Sequence, residues 1–325
     1  MKPRTRAILA GLLVVVIADQ IVQHAFLGTG YLMGRRVAPF DPPLFAPHQV
    51  ERVASYRALL ASGRDPRRES GFDPELGWCA LPSVADTRYA TDERGARIGL
   101  APVPRDRTPG VGRVMAIGCS FTFGQEVDGP ETWPARVDTA RRDLEVVNFG
   151  YGFYGIDQAF LRYRREADAL RPDEVWLGVL PSALTRILGV YPPAQRHWTN
   201  VLHVKPRFVF GTSGGIELVQ SPAQSLDDLV SLLSDQNRFL ERVGRHDAWV
   251  QRRWAAYQGF GRRLWHHSAF ARLVVTALEG GEREAKPEVL DPESEVRRLA
   301  LALVRELAHE VRANGARLRV LILPD

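Results

Sequence analysis

Short apolar runs alternate with amphipathic helical segments along much of this chain of 325 residues. Four apolar runs are predicted as strands: 113–117, 145–149, 174–180 and 318–323. Three helices are predicted between them: 132–142, 156–170 and 293–313. Helices that join successive strands imply parallel pairing with right-handed crossovers. The pattern therefore predicts a doubly wound α/β domain built on a parallel sheet.

The chain divides into three parts on composition and periodicity. Residues 1–30 are an apolar N-terminal segment, and 31–110 are an irregular lead-in segment, rich in Pro, Gly and charge, that we expect to pack on the core. Residues 111–325 are the α/β domain, which we expect to be incomplete at its C-terminus. Within it, a β-rich stretch over 204–218 and helices over 226–274 predict a cap-like insertion at about 187–286.

The lead-in segment contains one stretch with helical spacing, residues 49–62. Four apolar residues fall on one side of this predicted helix: Val50, Val53, Tyr56 and Leu59. We expect that side to face the core.

The N-terminal segment has the features of a membrane anchor or a signal peptide. Three basic residues, Lys2, Arg4 and Arg6, precede an unbroken apolar run over 7–18. That run has the length of a signal-peptide core, and Val16-Ile17-Ala18 resembles a cleavage site. No polar segment separates the two, so we favour an uncleaved anchor with its basic end in the cytoplasm. The rest of the chain then faces the periplasm or the cell exterior; secretion after cleavage is the alternative.

Charge and cysteine content exclude several functional classes. The net charge of +5 comes from scattered basic residues, many of them followed by acidic ones, so no nucleic acid partner is predicted. The only two cysteines, Cys79 and Cys119, are too few for a disulfide framework or a metal site. A single bridge between them and two free thiols both stay open. We predict no metal and no cofactor.

Ser120 is the candidate nucleophile. It follows the first predicted strand within Gly-Cys-Ser-Phe-Thr-Phe-Gly, residues 118–124. Ligands of open parallel sheets bind at the carboxyl ends of the strands. Small neighbours let a substrate carbonyl reach the hydroxyl, and backbone N–H groups at a helix start can bind an oxyanion. Taken alone, a serine in such a turn is more often a helix N-cap.

Several segments together resemble the GDSL (SGNH) hydrolases, a family of serine esterases, in its membrane-anchored bacterial type. Residues 117–127 and 131–134 resemble the first sequence block of the family, and Asn148 to Gln158 resemble the second. The lead-in pieces 74–78 and 89–97 are similar to those of the anchored members. The resemblance implies a flavodoxin-like, three-layer αβα sandwich and acyl transfer to a serine.

Carried over residue by residue, the resemblance is uneven. Ser120 matches the nucleophile, and Cys119 stands where the family has a noncatalytic Asp. The oxyanion-hole Gly aligns with Phe153, beside Gly152, and a backbone N–H survives that replacement. The oxyanion-hole Asn is absent from the third block, where Ser182 is the replacement donor. No substrate-binding residue is predicted.

The catalytic base is missing from the expected place. The family has Asp-x-x-His after the last core strand, and these 325 residues contain no such pattern. Six histidines lie in the insertion or on helices: His197, His203, His246, His266, His267 and His309. Two explanations stay open, a longer native chain that carries the base and a naturally inactive relative. We favour the longer chain.

Two functions follow from these expectations. The first is an ester hydrolase or acyltransferase that acts on extracytoplasmic carbohydrate esters, a substrate class taken from the resemblance alone. The alternative is a catalytically inactive binding or scaffold protein of a membrane polysaccharide assembly. Five aromatic residues of the insertion are candidates for stacking on sugar rings or for ordinary packing: Trp249, Trp254, Tyr257, Phe260 and Trp265. Nucleotide binding is disfavoured because the turns lack glycine-rich phosphate motifs.

Overall fold

The first long helix of the chain is apolar. The computed structural model describes residues 3–27, 31–32, 35–37, 42–43, 47–86, 88–196, 199–212, 214–260, 267–278 and 291–324. Helix α1 (Pro3–Val22) continues into a π-helical turn, Gln23–Leu27. The stretch Pro3–Ala25 is long and apolar enough to cross a membrane, and its most apolar part is not buried. By length and composition, α1 is suited to be a signal anchor or a membrane span.

The lead-in segment contains short elements and one longer helix. They are β1 (Tyr31–Leu32), β2 (Arg35–Arg36), α2 (Pro47–Ala61), α3 (Pro66–Ser70), β3 (Phe72–Asp73) and β4 (Gly77–Trp78). The predicted helix over 49–62 is confirmed as α2, but the prediction that Val50 faces the core is wrong. Val50 is 55% exposed, whereas Gln49 is buried and its amide nitrogen donates to the Thr199 carbonyl at 3.2 Å. A hydrogen bond to the insertion thus orients this end of α2.

The α/β core follows the predicted order of elements. Its first part comprises β5 (Gly112–Gly118), α4 (Ser120–Phe123), a 3-10 turn (Gly129–Glu131), α5 (Trp133–Ala140), β6 (Leu144–Asn148), α6 (Ile156–Leu170) and β7 (Glu174–Val179). A 3-10 helix (Pro181–Leu188) leads into the insertion. The insertion comprises α7 (Pro192–Gln195), β8 (Arg207–Phe210), β9 (Ile216–Val219), α8 (Leu226–Ser234), α9 (Gln236–Phe239), a π-helical turn (Leu240–Gly244), α10 (Ala248–Phe260) and α11 (Ala269–Leu278). The chain returns to the sheet with α12 (Glu295–Ala313) and β10 (Arg317–Ile322). The four predicted strands and three predicted helices are confirmed to within two residues at each end.

The four core strands form one parallel sheet in the order β10-β7-β5-β6. Met115 of β5, for example, lies opposite Val147 on one side and Val175 on the other. After β5 the chain adds β6 on one side and then crosses to add β7 on the other. This reversal is a topological switch point, where open α/β sheets form their binding crevices.

Helices cover both faces of the sheet, so the core has three layers. Met115 and Ile117 pack with α6 and α12 on one face, and Val114 and Ala116 pack toward α5 on the other. The side chain of Thr132 caps α5 by accepting a hydrogen bond from the Ala135 N–H at 3.3 Å, as its position predicts. On the edge strand β10, Val320 and Ile322 are exposed.

The lead-in segment and the insertion share a second hydrophobic cluster. Val53 and Tyr56 of α2 pack there with Leu229 of α8. The predicted β-rich stretch is confirmed as the antiparallel hairpin of β8 and β9. A buried ion pair between Lys205 and Asp157 joins the insertion to the start of α6.

Three strand ends meet on one buried side chain, that of Thr122 in α4. Cβ atoms added at Gly118 or Gly178 would collide with the Thr122 hydroxyl. A Cβ added at Gly150 would lie 2.6 Å from the Phe123 backbone nitrogen and 2.7 Å from the Thr122 Cβ. Glycine at these strand ends therefore lets α4 sit directly on the carboxyl edge of the sheet.

The contact with Thr122 can be tested by a double-mutant cycle. Gly178→Ala should lower the free energy of unfolding by about 1–3 kcal/mol, because the added methyl overpacks the site. Thr122→Ala in the same chain should recover most of that loss, since it removes the colliding hydroxyl, which has no hydrogen-bond partner among the described residues. Urea unfolding of the detergent-solubilised protein measures both effects.

Gly150→Ala is the matched control for this cycle. Its added methyl would meet backbone and Cβ atoms, which Thr122→Ala leaves in place. No rescue is expected there, and equal rescue at both glycines would contradict the packing described.

Candidate functional site

Ser120 lies at the turn between the central strand β5 and the short helix α4. Cys119 is the extended N-cap residue of α4, and its carbonyl accepts hydrogen bonds from the N–H groups of Thr122 and Phe123, both at 3.0 Å. The Ser120 carbonyl accepts a hydrogen bond from the Gly124 N–H at 2.8 Å, and Ser120 is half-buried. Ser120 is thus the first helical residue, one position beyond the N-cap.

The turn after β6 is hydrogen-bonded to the Ser120 turn. The Tyr151 N–H donates to the Gly118 carbonyl at 3.1 Å, and the Asn148 amide nitrogen donates to the Thr122 carbonyl at 2.8 Å. The Asn148 side-chain oxygen in turn accepts from the Gly150 N–H at 3.0 Å. The first and second blocks therefore form one connected unit at the carboxyl edge.

Phe153 has an uncommon backbone conformation for a residue with a side chain. Its φ is +62°, in the left-handed region that favours glycine. The carbonyl of neighbouring Gly152 accepts a hydrogen bond from the Trp78 indole at 2.9 Å. The Arg186 guanidinium lies 4.5 Å from the centre of the Phe153 ring. Packing from the lead-in segment and from the third turn holds the strained residue in place.

The third predicted position, Ser182, is exposed in the 3-10 helix after β7. Arg186 of the same helix donates to the Tyr154 carbonyl at 3.1 Å and so joins the third turn to the second. A small cleft opens where the three turns meet, and its lining includes Gly118, Cys119, Tyr154, Gly155, Leu180 and Ala183. The three turns thus meet at this cleft, but the residues that line it do not include the four predicted site residues, Ser120, Gly152, Phe153 and Ser182.

Cys119 and Cys79 are both free thiols, which resolves the alternative of a bridge between them. Cys119 is buried against Leu180 and Ala183. Burial raises the pKa of the Cys79 thiol to about 11, so that thiol is protonated at neutral pH. Within the described part of the chain, no group of three His, Cys, Asp or Glu side chains is arranged to hold a metal ion.

His203 is a core residue of the second hydrophobic cluster. Its ring stacks on Tyr56 and Trp78, and its Nε2 lies 3.2 Å from the Tyr56 hydroxyl. Burial lowers the pKa of this imidazole to about 3, so it is neutral at physiological pH. These contacts give His203 a packing role.

His309 lies at the opposite edge of the sheet from Ser120. It is exposed near the C-terminal end of α12, which leads into the first residue of β10, Arg317. Arg317 lies beside Glu174, the first residue of β7, at the amino edge of the sheet. The other described histidines lie on elements outside the three turns: His24, His48, His246 and His267. His197 and His266 lie outside the described residues.

The sequence interpretation missed two residues that support the site. The sequence places Asn148 in a predicted strand and at the start of the second block, without a role of its own. A polar residue in an otherwise apolar strand was the signal for a hydrogen-bonding role. Arg97 is also buried; its backbone N–H donates to the Asn148 carbonyl at 2.8 Å and its guanidinium lies 4.6 Å from the centre of the Phe123 ring. The lead-in piece 89–97 therefore packs directly on α4.

Comparisons with known proteins do not identify a family. No family model matches the chain, and a comparison with curated proteins finds no match. The relationship to GDSL hydrolases thus stays a prediction based on the motifs.

The strained conformation of Phe153 predicts an inverted preference between alanine and glycine. Both Phe153→Ala and Phe153→Gly remove the ring. Only alanine keeps a Cβ, which destabilises the left-handed backbone conformation by about 1 kcal/mol. We expect the glycine variant to have the higher free energy of unfolding by about that amount. Exposed Phe121 in α4 is the matched position, where alanine should be the more stable replacement. The same order at both positions would contradict the assigned φ.

The buried imidazole of His203 predicts acid sensitivity. Its pKa in the folded protein is below the unfolded value of 6.5, so the unfolded state binds the proton first as the pH falls. Between pH 6.5 and 3, this group should lower the free energy of unfolding by about 1.4 kcal/mol per pH unit. Denaturant titrations at pH 7 and 5 should show that His203→Gln loses this contribution. If the free energy of unfolding depended on pH equally in the wild type and in His203→Gln, a buried, neutral His203 would be contradicted.

Proposed function

We propose that this chain is an SGNH-type serine ester hydrolase or acyltransferase with Ser120 as the nucleophile. The observation that carries the proposal is the position of Ser120, directly after the central strand at the topological switch point. In chain order the sheet reads 2-1-3-4, which agrees with the first four strands of the flavodoxin-like order 2-1-3-4-5. The motifs around Ser120 and Asn148 resemble the family in the two turns that hydrogen-bond to each other.

In the proposed mechanism, the Ser120 Oγ attacks the carbonyl carbon of an ester. A His base takes the hydroxyl proton and passes it to the departing alcohol, while the acyl–serine bond replaces the ester bond. Water or a second alcohol then attacks the acyl-serine and restores the hydroxyl. We expect the His base to come from outside the described residues.

The oxyanion of this mechanism needs donors beside Ser120. We propose the backbone N–H groups of Gly152 and Phe153, with the Ser182 hydroxyl in place of the family's Asn. The left-handed φ of Phe153 supports the alignment, because a glycine is expected where this turn conformation is required. Each oxyanion donor is worth about 10²–10³ in rate.

The proposed location is the outer side of a membrane, with α1 as an uncleaved anchor. Helix α1 runs without a break through residues 16–19, where a signal peptidase would have to cut. The three basic residues before the apolar run favour a cytoplasmic N-terminus. Extracytoplasmic carbohydrate esters are the proposed substrates, on the basis of the family resemblance.

The second candidate is an inactive binding or scaffold protein of a membrane polysaccharide assembly. The burial of His203 and the position of His309 favour it, since neither is arranged to act on Ser120. The aromatic side chain at Phe153 also departs from the glycine of the family.

A fluorophosphonate probe separates the two candidates. When the full-length protein in its native membrane is treated with the probe, we expect covalent labelling that Ser120→Ala abolishes. The matched variant Ser182→Ala should still label, at a lower rate, because it loses one oxyanion donor and keeps the nucleophile. Mass spectrometry of the labelled peptide identifies the site.

Labelling that persists in Ser120→Ala would overturn the nucleophile assignment. A wild-type protein that takes no label but binds glycans would favour the inactive candidate.

A further inference from the structure

Asp19 of α1 accepts hydrogen bonds at the N-terminus of a second apolar helix, α11, although 250 residues separate Asp19 from Ala269 along the chain. The Ser268 hydroxyl caps the same helix by accepting from the Ala271 N–H at 3.2 Å. One carboxylate oxygen accepts from the Ser268 hydroxyl at 2.8 Å and from the Phe270 N–H at 2.9 Å. The other accepts from the Ala269 N–H at 3.0 Å. These bonds satisfy both the carboxylate and donors that a helix start otherwise leaves unpaired.

Helix α11 packs on the C-terminal end of α1 by one side and leaves the other side open. Ala269 is buried, and Val22 and Leu273 pack in the same small cluster. Phe270, Val274 and Leu278 are spaced four residues apart and are 61%, 37% and 80% exposed. Spacing of four residues places these three on one stripe of the helix.

The depth of Asp19 in the proposed anchor determines where this stripe lies. Asp19 is six residues before the end of the apolar stretch Pro3–Ala25, which corresponds to about 9 Å of helix. With the basic residues Arg4 and Arg6 in the cytoplasm, that level lies in the outer leaflet. An interfacial helix buries its apolar face about 5–10 Å below the headgroup boundary.

We propose that α11 is a second membrane-contacting element whose Phe270, Val274 and Leu278 stripe inserts among the acyl chains of the outer leaflet. This inference rests on the proposed anchoring by α1. We assign lipid as the partner of this stripe because α11 contacts α1 at a level where α1 also exposes apolar side chains, Ile17 and Ile21. An unpaired carboxylate at this depth is costly, and the N-terminus of α11 supplies its hydrogen bonds.

Nitroxide scanning tests the proposal on the full chain in vesicles of phosphatidylethanolamine and phosphatidylglycerol. The label is attached to Val274→Cys in a background where Cys79 and Cys119 are replaced by Ala. Leu13→Cys in α1 is the lipid reference, and Leu301→Cys on the exposed face of α12 is the matched aqueous reference. We expect the label at 274 to collide with oxygen several-fold more, and with a water-soluble nickel chelate several-fold less, than the label at 301.

Asp19 variants test the connection between the two helices. Asp19→Ala should raise nickel access at 274 toward the value at 301, because the Ala269 and Phe270 N–H groups of α11 lose their acceptor on α1. Asp19→Asn keeps one acceptor oxygen, for the Ser268 hydroxyl and the Phe270 N–H, and loses the acceptor of the Ala269 N–H. Nickel access at 274 should therefore rise less than in Asp19→Ala.

Two results would overturn the inference while leaving the anchor intact, provided that the label at 13 shows the lipid pattern. One is nickel access at 274 equal to that at 301. The other is exclusion of both oxygen and nickel at 274, which would indicate a protein surface there. A label at 13 that lacks the lipid pattern would instead overturn the proposed anchor, and with it this inference.

Discussion

The candidate site depends on the close approach of α4 to the sheet, which the glycines at the ends of β5 and β7 and after β6 permit. Thr122 is fully buried between Gly118, Gly150 and Gly178. Because no Cβ intervenes, the helix that begins at Ser120 rests on the strand ends themselves. The Asn148 amide then binds the Thr122 carbonyl and joins the second turn to the first. Side chains at these glycines would lift α4 and displace Ser120 from the carboxyl edge of the sheet.

Much of this arrangement was predictable from the sequence, because its causes are local. The burial of β5, β6 and β7 produces continuous apolar runs that end at glycine or proline, and amphipathic spacing defines α6 to the residue. Parallel pairing follows from the helices between the strands, and it brings the turns that follow them to one edge. The position of Ser120 at the carboxyl edge of the sheet is therefore a consequence of pattern alone. The chemistry of Ser120 does not follow from the pattern, since a serine that only caps a helix fits the same pattern of residues.

What the sequence did not predict depends on contacts between distant segments. The burial of His203 requires α2 and the insertion to form one cluster, and neither segment alone signals it. The left-handed φ of Phe153 depends on packing against Trp78 and Arg186 from two other regions. Asp19 ends an apolar run in the sequence, yet its carboxylate accepts hydrogen bonds at the start of a helix 250 residues away. Helical spacing places Val50 on the inward side, because spacing alone does not detect the hydrogen bond from neighbouring Gln49 that orients the helix.

The start of α6 is where the lead-in segment, the insertion and the sheet meet. The Gln158 amide donates to the Leu76 carbonyl at 2.7 Å, and Lys205 pairs with buried Asp157. Separating Lys205 from Asp157 would leave each charge buried without a partner, which is strongly unfavourable. The ion pair therefore holds the insertion against the start of α6. Tyr154 and Gly155, immediately before this helix, line the cleft. The positions of Tyr154 and Gly155 at the cleft are thus fixed by contacts from the lead-in segment and the insertion, far from the Ser120 motif.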